Sequence, residues 1–188
     1  MLLNGPPGSG KDSLTDWLVR HDGAFAFARK VRDSAEGSAH HDIVTPERFD
    51  RMIVAGELVQ WHARYGRRYG LPYAAVQAPL ARGQAPIVHT GRLENLRTLR
   101  DRLGPCLTVH LACSQVVLLD RLRRRHAGDA AEIAARSRAM QEELDEVAAA
   151  GFAFDIVLDN DGDDPAEAGA RLAARLRAAL GLTGGTDA

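Results

Sequence analysis

Long apolar runs are missing from this chain of 188 residues, and none approaches the roughly 18 consecutive residues a bilayer span requires. The N-terminus lacks the charged start and apolar stretch of a secretory signal. Cysteine is scarce. Cys106 and Cys113 give neither a disulfide framework nor a metal-ligand spacing, and they fit a reducing cytoplasm. An excess of one charge is lacking too. A formal net charge of -1 argues against a general nucleic-acid binder, which needs a basic face. Lysine is almost absent: of 24 basic residues only Lys11 and Lys30 are lysine. That scarcity makes each of them informative.

What is present is a core. Hydrophobic residues make up 45% of the chain, too many for disorder and enough for one α/β domain with a small inserted segment. Apolar runs alternate with helical periodicity. Strands are expected at 1–4, 24–28, 58–61, 87–89, 107–111 and 154–158. Helices are expected at 11–20, 45–54, 72–81, 93–103, 115–125, 130–150 and 165–180, the one at 45 starting on a Thr cap followed by Pro. This alternation implies a three-layer fold, a parallel sheet with helices on both faces and ligands beyond the carboxyl ends of its strands. The strand at 1–4 should be central, and its shortness raises the expectation of residues upstream of Met1. The Gly-rich tail from Gly181 is expected to fray.

Residues 5–11 read GPPGSGK, the G-x-x-x-x-G-K core of a phosphate-binding loop, between an apolar run and a helix. Gly5, Gly8, Ser9 and Gly10 would turn backbone N–H groups toward phosphates, and Lys11 would supply a mobile charge. A chance Gly/Pro turn is the bland alternative, and the context argues against it. The Ser or Thr that usually follows the lysine and holds Mg²⁺ is replaced by Asp12, then Ser13. Asp12 can serve the metal directly or through water, or can simply cap the helix. An N-K-x-D guanine motif is absent, and the strands ending at His89 and Leu111 carry no acid of the motor-ATPase kind. Arg121 and Arg125 lie on one helix face, and Arg136 and Arg138 follow the break HAGDA, as in a closing lid or as on a merely solvated face. Arg29, Arg32, Tyr69 and Arg92 lie at or beyond strand ends and could form a second anion site.

This pattern resembles the guanylate-kinase-like family of P-loop kinases over residues 2–161, most clearly in RLRRR, EIAAR and QEEL. The resemblance implies ATP with Mg²⁺ on the loop, Asp12 and Ser13 toward the metal, and Arg121, Arg125 and Arg136 as lid arginines that stabilise the transferring phosphoryl group. It implies Asn160 near the adenine, and Arg29, Arg32 and Tyr69 on the acceptor phosphate. Positions that read guanine differ: Gln60 replaces a glutamate, Leu71 a Ser or Thr, His41 a tyrosine, and His89-Thr90-Gly91 an acidic stretch. GKDSL at 10–14 and WHA at 61–63 are similar to the family's ribose 1,5-bisphosphate phosphokinase branch, although residues 28–30 read Ala-Arg-Lys where that branch has Thr-Arg-Pro. The expectation is a single kinase domain with an acceptor segment at about 29–83 and a lid at about 121–140. His62 either hydrogen-bonds the acceptor or sits in the core. The expected setting is cytoplasmic, as a monomer or homodimer, with no nucleic acid and no membrane. The alternatives are a nucleoside monophosphate kinase with another acceptor, or a non-catalytic binding module, which the intact Lys11 disfavours.

Overall fold

The computed structural model describes residues 1–34, 37, 39–64 and 66–182. In chain order come β1 (Leu2–Asn4), α1 (Lys11–His21), β2 (Phe25–Phe27), β3 (Lys30–Asp33), β4 (His41–Val44), α2 (Pro46–Val54), β5 (Leu58–Arg64), β6 (Arg67–Pro72) and α3 (Tyr73–Ala81). They are followed by β7 (Ala85–Thr90), α4 (Leu93–Leu103), β8 (Thr108–Ala112), α5 (Gln115–Arg125), α6 (Ala130–Ala150), β9 (Ile156–Asp159) and α7 (Pro165–Leu180). The tail at 183–188, where fraying is expected, lies outside the described residues.

Five strands pair in parallel in the order β2-β7-β1-β8-β9, so β1 is central despite its three residues. Period-two alternation splits β1 between two cores. Leu3 packs with Leu14 and Leu18 of α1 and Leu172 and Leu176 of α7 on one face. Leu2 packs with Val76 of α3 and Leu96 and Leu99 of α4 on the other. Helices thus cover both faces, and truncating either leucine to alanine would cost about 2–5 kcal/mol.

A second sheet, which the sequence reading did not anticipate, runs in the order β4-β3-β6-β5. The β3–β4 pair is parallel, and the β3–β6 and β5–β6 pairs are antiparallel. Its outer face covers a small core in which Val31 packs with Phe49 and Met52 of α2 and with Leu58. The expected Thr cap is there: Thr45 Oγ1 accepts from the Arg48 amide at 3.2 Å. The parallel sheet expected from the sequence is the five-stranded one, and this second sheet stands beside it. The sequence did not announce it because its inner face carries cations and histidines in place of apolar residues, which hides its alternation. A third unit is the α5–α6 hairpin, closed by Leu118, Leu122 and Met140.

Candidate active site

The loop at 5–11 leaves β1 and enters α1 through Gly8 and Gly10, whose φ of 87° and 91° a side chain resists. At Gly10 space forbids one as well, since a Cβ would lie 2.5 Å from Nδ2 of Asn160. Asn160, buried just past β9, donates from Nδ2 to the Ser9 carbonyl at 2.8 Å and so clamps the loop from outside. From beneath, Asn4 of β1 donates to the Gly91 carbonyl at 2.6 Å and accepts from His110 Nδ1 at 2.8 Å. Lys11 Nζ donates to the carbonyls of Gly5 and Pro6 at 2.5 and 3.0 Å. Burial pulls its ammonium below the ordinary lysine range, against the carboxylates of Glu143 and Asp12. A glycine loop that leads into a helix N-terminus, with a lysine beside it, is the arrangement that holds phosphate.

Opposite this cradle stands the inner face of the second sheet. Register places Tyr69 beside both Arg32 and His62, and Lys30 beside His41. The Tyr69 ring stacks on His62 at 5.7 Å and meets His41 edge-on at 5.3 Å. Two residues beyond His62 on β5, Arg64 forms an ion pair with Glu143 of α6. A second tie joins α6 to the rest, Arg92 to Glu142 at 2.5 Å.

Charge in the cavity is lopsided. Six cations, Lys11, Lys30, Arg32, Arg64, Arg125 and Arg136, line it against two carboxylates, Asp12 and Glu143, among the described residues. Burial first, then Lys11 and Arg64, bring the Lys30 ammonium down to about 8. Three of the histidines lining it, His41, His62 and His89, add no charge near neutrality. Burial lowers His41 and His62 to about 4 each, and His89 to about 3. The Nε2 of His89 lies 2.7 Å from the Thr15 hydroxyl, and its Nδ1 lies 3.5 Å from Asp12 Oδ1. If the Thr15 hydroxyl donates to Nε2, the ring proton sits on Nδ1 and steers Asp12 into the cavity.

The expected site residues are only partly brought together. Gly5, Gly8, Gly10, Lys11 and Asp12 line the cavity from the loop and the start of α1, and Arg125 and Arg136 from the α5–α6 hairpin. Arg32, His62 and Tyr69 line it from the sheet side. Ser9 is buried beneath the loop, its hydroxyl 3.4 Å from Lys11 Nζ. Ser13 is separated from Asp12: it is exposed and lines a neighbouring cavity with Asn160 and Arg121. Arg121 Nη1 donates to the Asn160 carbonyl at 2.9 Å and its Nη2 to that of Gly162 at 2.5 Å, so it braces the loop's surroundings. Gln60 and Arg92 line a separate groove between β5 and α4, which His62 and Arg64 also border, and there Gln60 donates to Asn95 Oδ1 at 2.7 Å. Arg29 lies apart from the others. It is exposed one residue before β3 and lines none of these cavities, whereas Lys30 and Arg32, two apart on one strand face, both line the main one. Lys30, Arg64 and Glu143 were missed. Lysine scarcity was a signal for the first, because the chain's two lysines line the same cavity.

A glycine loop with its lysine at a helix N-terminus, faced by a cationic sheet and flanked by an arginine-bearing helical hairpin, defines a P-loop phosphotransferase. The family comparison gives the same class. The sequence profile of the guanylate kinase family matches residues 1–177, and the chain belongs to that family of ATP-dependent kinases. It is 38% identical over 168 residues to ribose 1,5-bisphosphate phosphokinase PhnN of Pantoea vagans, covering 85% of this chain and 87% of that one. It is 30% identical over 169 residues to guanylate kinase of Alkalilimnicola ehrlichii, covering 87% and 81%. The crystal structure of guanylate kinase from Anaplasma phagocytophilum superposes with a TM-score of 0.65 over 95% of this chain and 85% of that chain, at 18% identity, which speaks for the fold.

Proposed function

We propose that this kinase transfers the γ-phosphoryl group of ATP to the 1-phosphate of ribose 1,5-bisphosphate, giving 5-phosphoribosyl diphosphate and ADP. The observation that carries the reading is the charge imbalance of the cavity, six cations against two carboxylates among the described residues. Such a cavity suits a donor and an acceptor that bring several phosphates together. The groups that would read a purine are missing or engaged: Gln60 is bonded to Asn95, and Leu71 is buried in the core. A site that hydrogen-bonds a base loses heavily when those partners go. The relative at 38% identity is named for the same sugar bisphosphate.

In this reading Lys30, Arg32 and Tyr69 hold an acceptor phosphate, and Lys11 holds the β- and γ-phosphates of ATP. An anionic oxygen of the acceptor's 1-phosphate attacks the γ-phosphorus. The bond from that phosphorus to the β–γ bridging oxygen breaks, and its electron pair leaves with ADP. The attacking oxygen is already deprotonated near neutral pH, so no general base is needed. The α5–α6 hairpin acts as the lid, with Arg125 and Arg136 neutralising charge on the transferring group. Asp12 fits a Mg²⁺ carried in with ATP: it is a hard oxygen donor facing the same cavity as Lys11, with 36% of its side chain exposed. When bound, the ion neutralises the phosphates further. Two free cysteines suit a cytoplasmic setting.

The test is ADP release with ATP, Mg²⁺ and either ribose 1,5-bisphosphate or GMP. Turnover with the sugar bisphosphate alone supports the reading. Turnover with GMP alone replaces it with a nucleoside monophosphate kinase, the second reading, favoured by the 30% identity to guanylate kinase. ATP bound without any turnover would favour a binding module.

A further inference from the structure

Glu143 is the least expected group in the cavity. It sits on α6, only 2% exposed, and the other charged side chains lining the cavity are cations apart from Asp12. Its Oε1 is taken by Arg64. Its Oε2 is buried and has no hydrogen-bond partner among the described residues. A buried carboxylate oxygen left unsatisfied costs free energy, so such an atom calls for a donor.

The seat of this carboxylate is shaped for it. A Cβ on Gly91 would lie 2.6 Å from Oε1 and 2.9 Å from Oε2, so the glycine after β7 leaves just the room that Glu143 fills. Any larger residue at 91 would drive Glu143 out. The chemistry of the missing donor follows from its neighbours. A phosphate is repelled by the carboxylate. A divalent cation is disfavoured by Arg64 and by the nearby lysines, and the loop side already has Asp12 for one. A neutral donor remains, and a phosphorylated sugar offers hydroxyls. Glu143 lines the same cavity as Lys11 and sits over Gly91 just past β7, so it faces the space between the phosphate loop and the acceptor sheet.

Building on the sugar-bisphosphate reading, we infer that Glu143 is a specificity-determining residue, whose free carboxylate oxygen accepts a hydrogen bond from the sugar hydroxyl next to the attacking phosphate. The enzyme thereby selects a 2-hydroxylated pentose over its deoxy counterpart. No step of the transfer passes through Glu143.

The experiment compares ribose 1,5-bisphosphate with 2-deoxyribose 1,5-bisphosphate in the wild type, Glu143→Gln and Glu143→Ala. Wild type should prefer the ribose compound by about 10–100-fold in kcat/KM, the range for a hydrogen bond to a charged group. Glu143→Ala should bring that ratio to within about threefold of unity while the KM for ATP stays near wild type. Glu143→Gln, which keeps the shape and one acceptor oxygen, should fall between. A loss of activity equal on both sugars, with the ratio intact, would make Glu143 only a structural partner of Arg64 and overturn the inference. So would a wild type that does not distinguish the two sugars. Failure of the wild type to use either sugar, with turnover of GMP instead, would overturn the functional reading beneath it and this inference with it.

Discussion

Replacing Lys30 by methionine gives a double signature that separates function from folding. The side chain keeps its length and loses its charge. Burial holds the Lys30 ammonium at about 8 against an ordinary 10.5. Between those values the unfolded chain binds a proton that the folded chain does not, so stability rises with pH across that window. Below about 8 both states are protonated, and the folded state carries the whole desolvation cost, on the order of 3 kcal/mol. Methionine removes that cost. For a domain of this size each kcal/mol moves the melting temperature by about 2–4 °C, so a rise of roughly 6–12 °C is expected at pH 7. The same change should lower kcat/KM for the acceptor by about 10–100-fold, because a charge-assisted contact to phosphate is lost, with the KM for ATP unchanged. In the wild type, acceptor kcat/KM should fall as pH rises through about 8, and Lys30→Arg should abolish that fall. Arg29→Ala is the control: exposed and outside the cavity, it should change acceptor kinetics less than threefold. Calorimetry and coupled ADP assays read both arms. A melting temperature that drops while the acceptor KM stays within twofold of wild type would refute the reasoning.

Lys11→Ala should cut kcat by about 100-fold or more, since its ammonium sits within the phosphate cradle; near-normal turnover would remove the loop from catalysis. Asn160→Ala should raise the KM for ATP and destabilise the fold by about 1–3 kcal/mol, because the Ser9 carbonyl loses its buried donor; an unchanged KM with unchanged stability would show that the clamp is idle. Acid should weaken the fold. His89 stays neutral when folded down to about 3 but takes a proton near 6.5 when unfolded, so stability falls as pH drops between those values. Urea unfolding of His89→Asn should show a slope shallower by about 1.4 kcal/mol per pH unit in that window than the wild type; equal slopes would mean that the buried ring titrates normally.

The parts legible in the sequence are those whose chemistry is local. The loop at 5–11 needs glycine at 8 and 10 and lysine at 11 wherever it occurs, so its composition announces it. The bounds of α5, α6 and α7 follow from their caps, Ser114, Asp129 and Asp164, each of which accepts from a backbone amide of the helix it opens. The second sheet was illegible because Lys30, Arg32, His62 and Arg64 occupy the positions where a core strand would be apolar. Its pattern serves ligands. The choice between Arg29 and Lys30 depends on strand parity, which cannot be read until β3 is known to exist. Glu143 looks like one of several acids on a solvated helix. Only its docking over Gly91 and against Arg64, neither near it in sequence, shows that it is buried.

The helix α6 has one more consequence. Arg136 and Glu143 are seven residues apart, two turns and about 10 Å along one stripe. In the proposed reading the first serves the ATP end of the cavity, and the second grips the acceptor sheet through Arg64. A rigid rod in contact with both compartments makes their occupancies interdependent. Whatever free energy one substrate spends in seating the rod is then already spent for the other. By linkage the two must enhance each other's affinity by the same factor, so the dissociation constant of a non-hydrolysable ATP analogue should tighten when the acceptor is present.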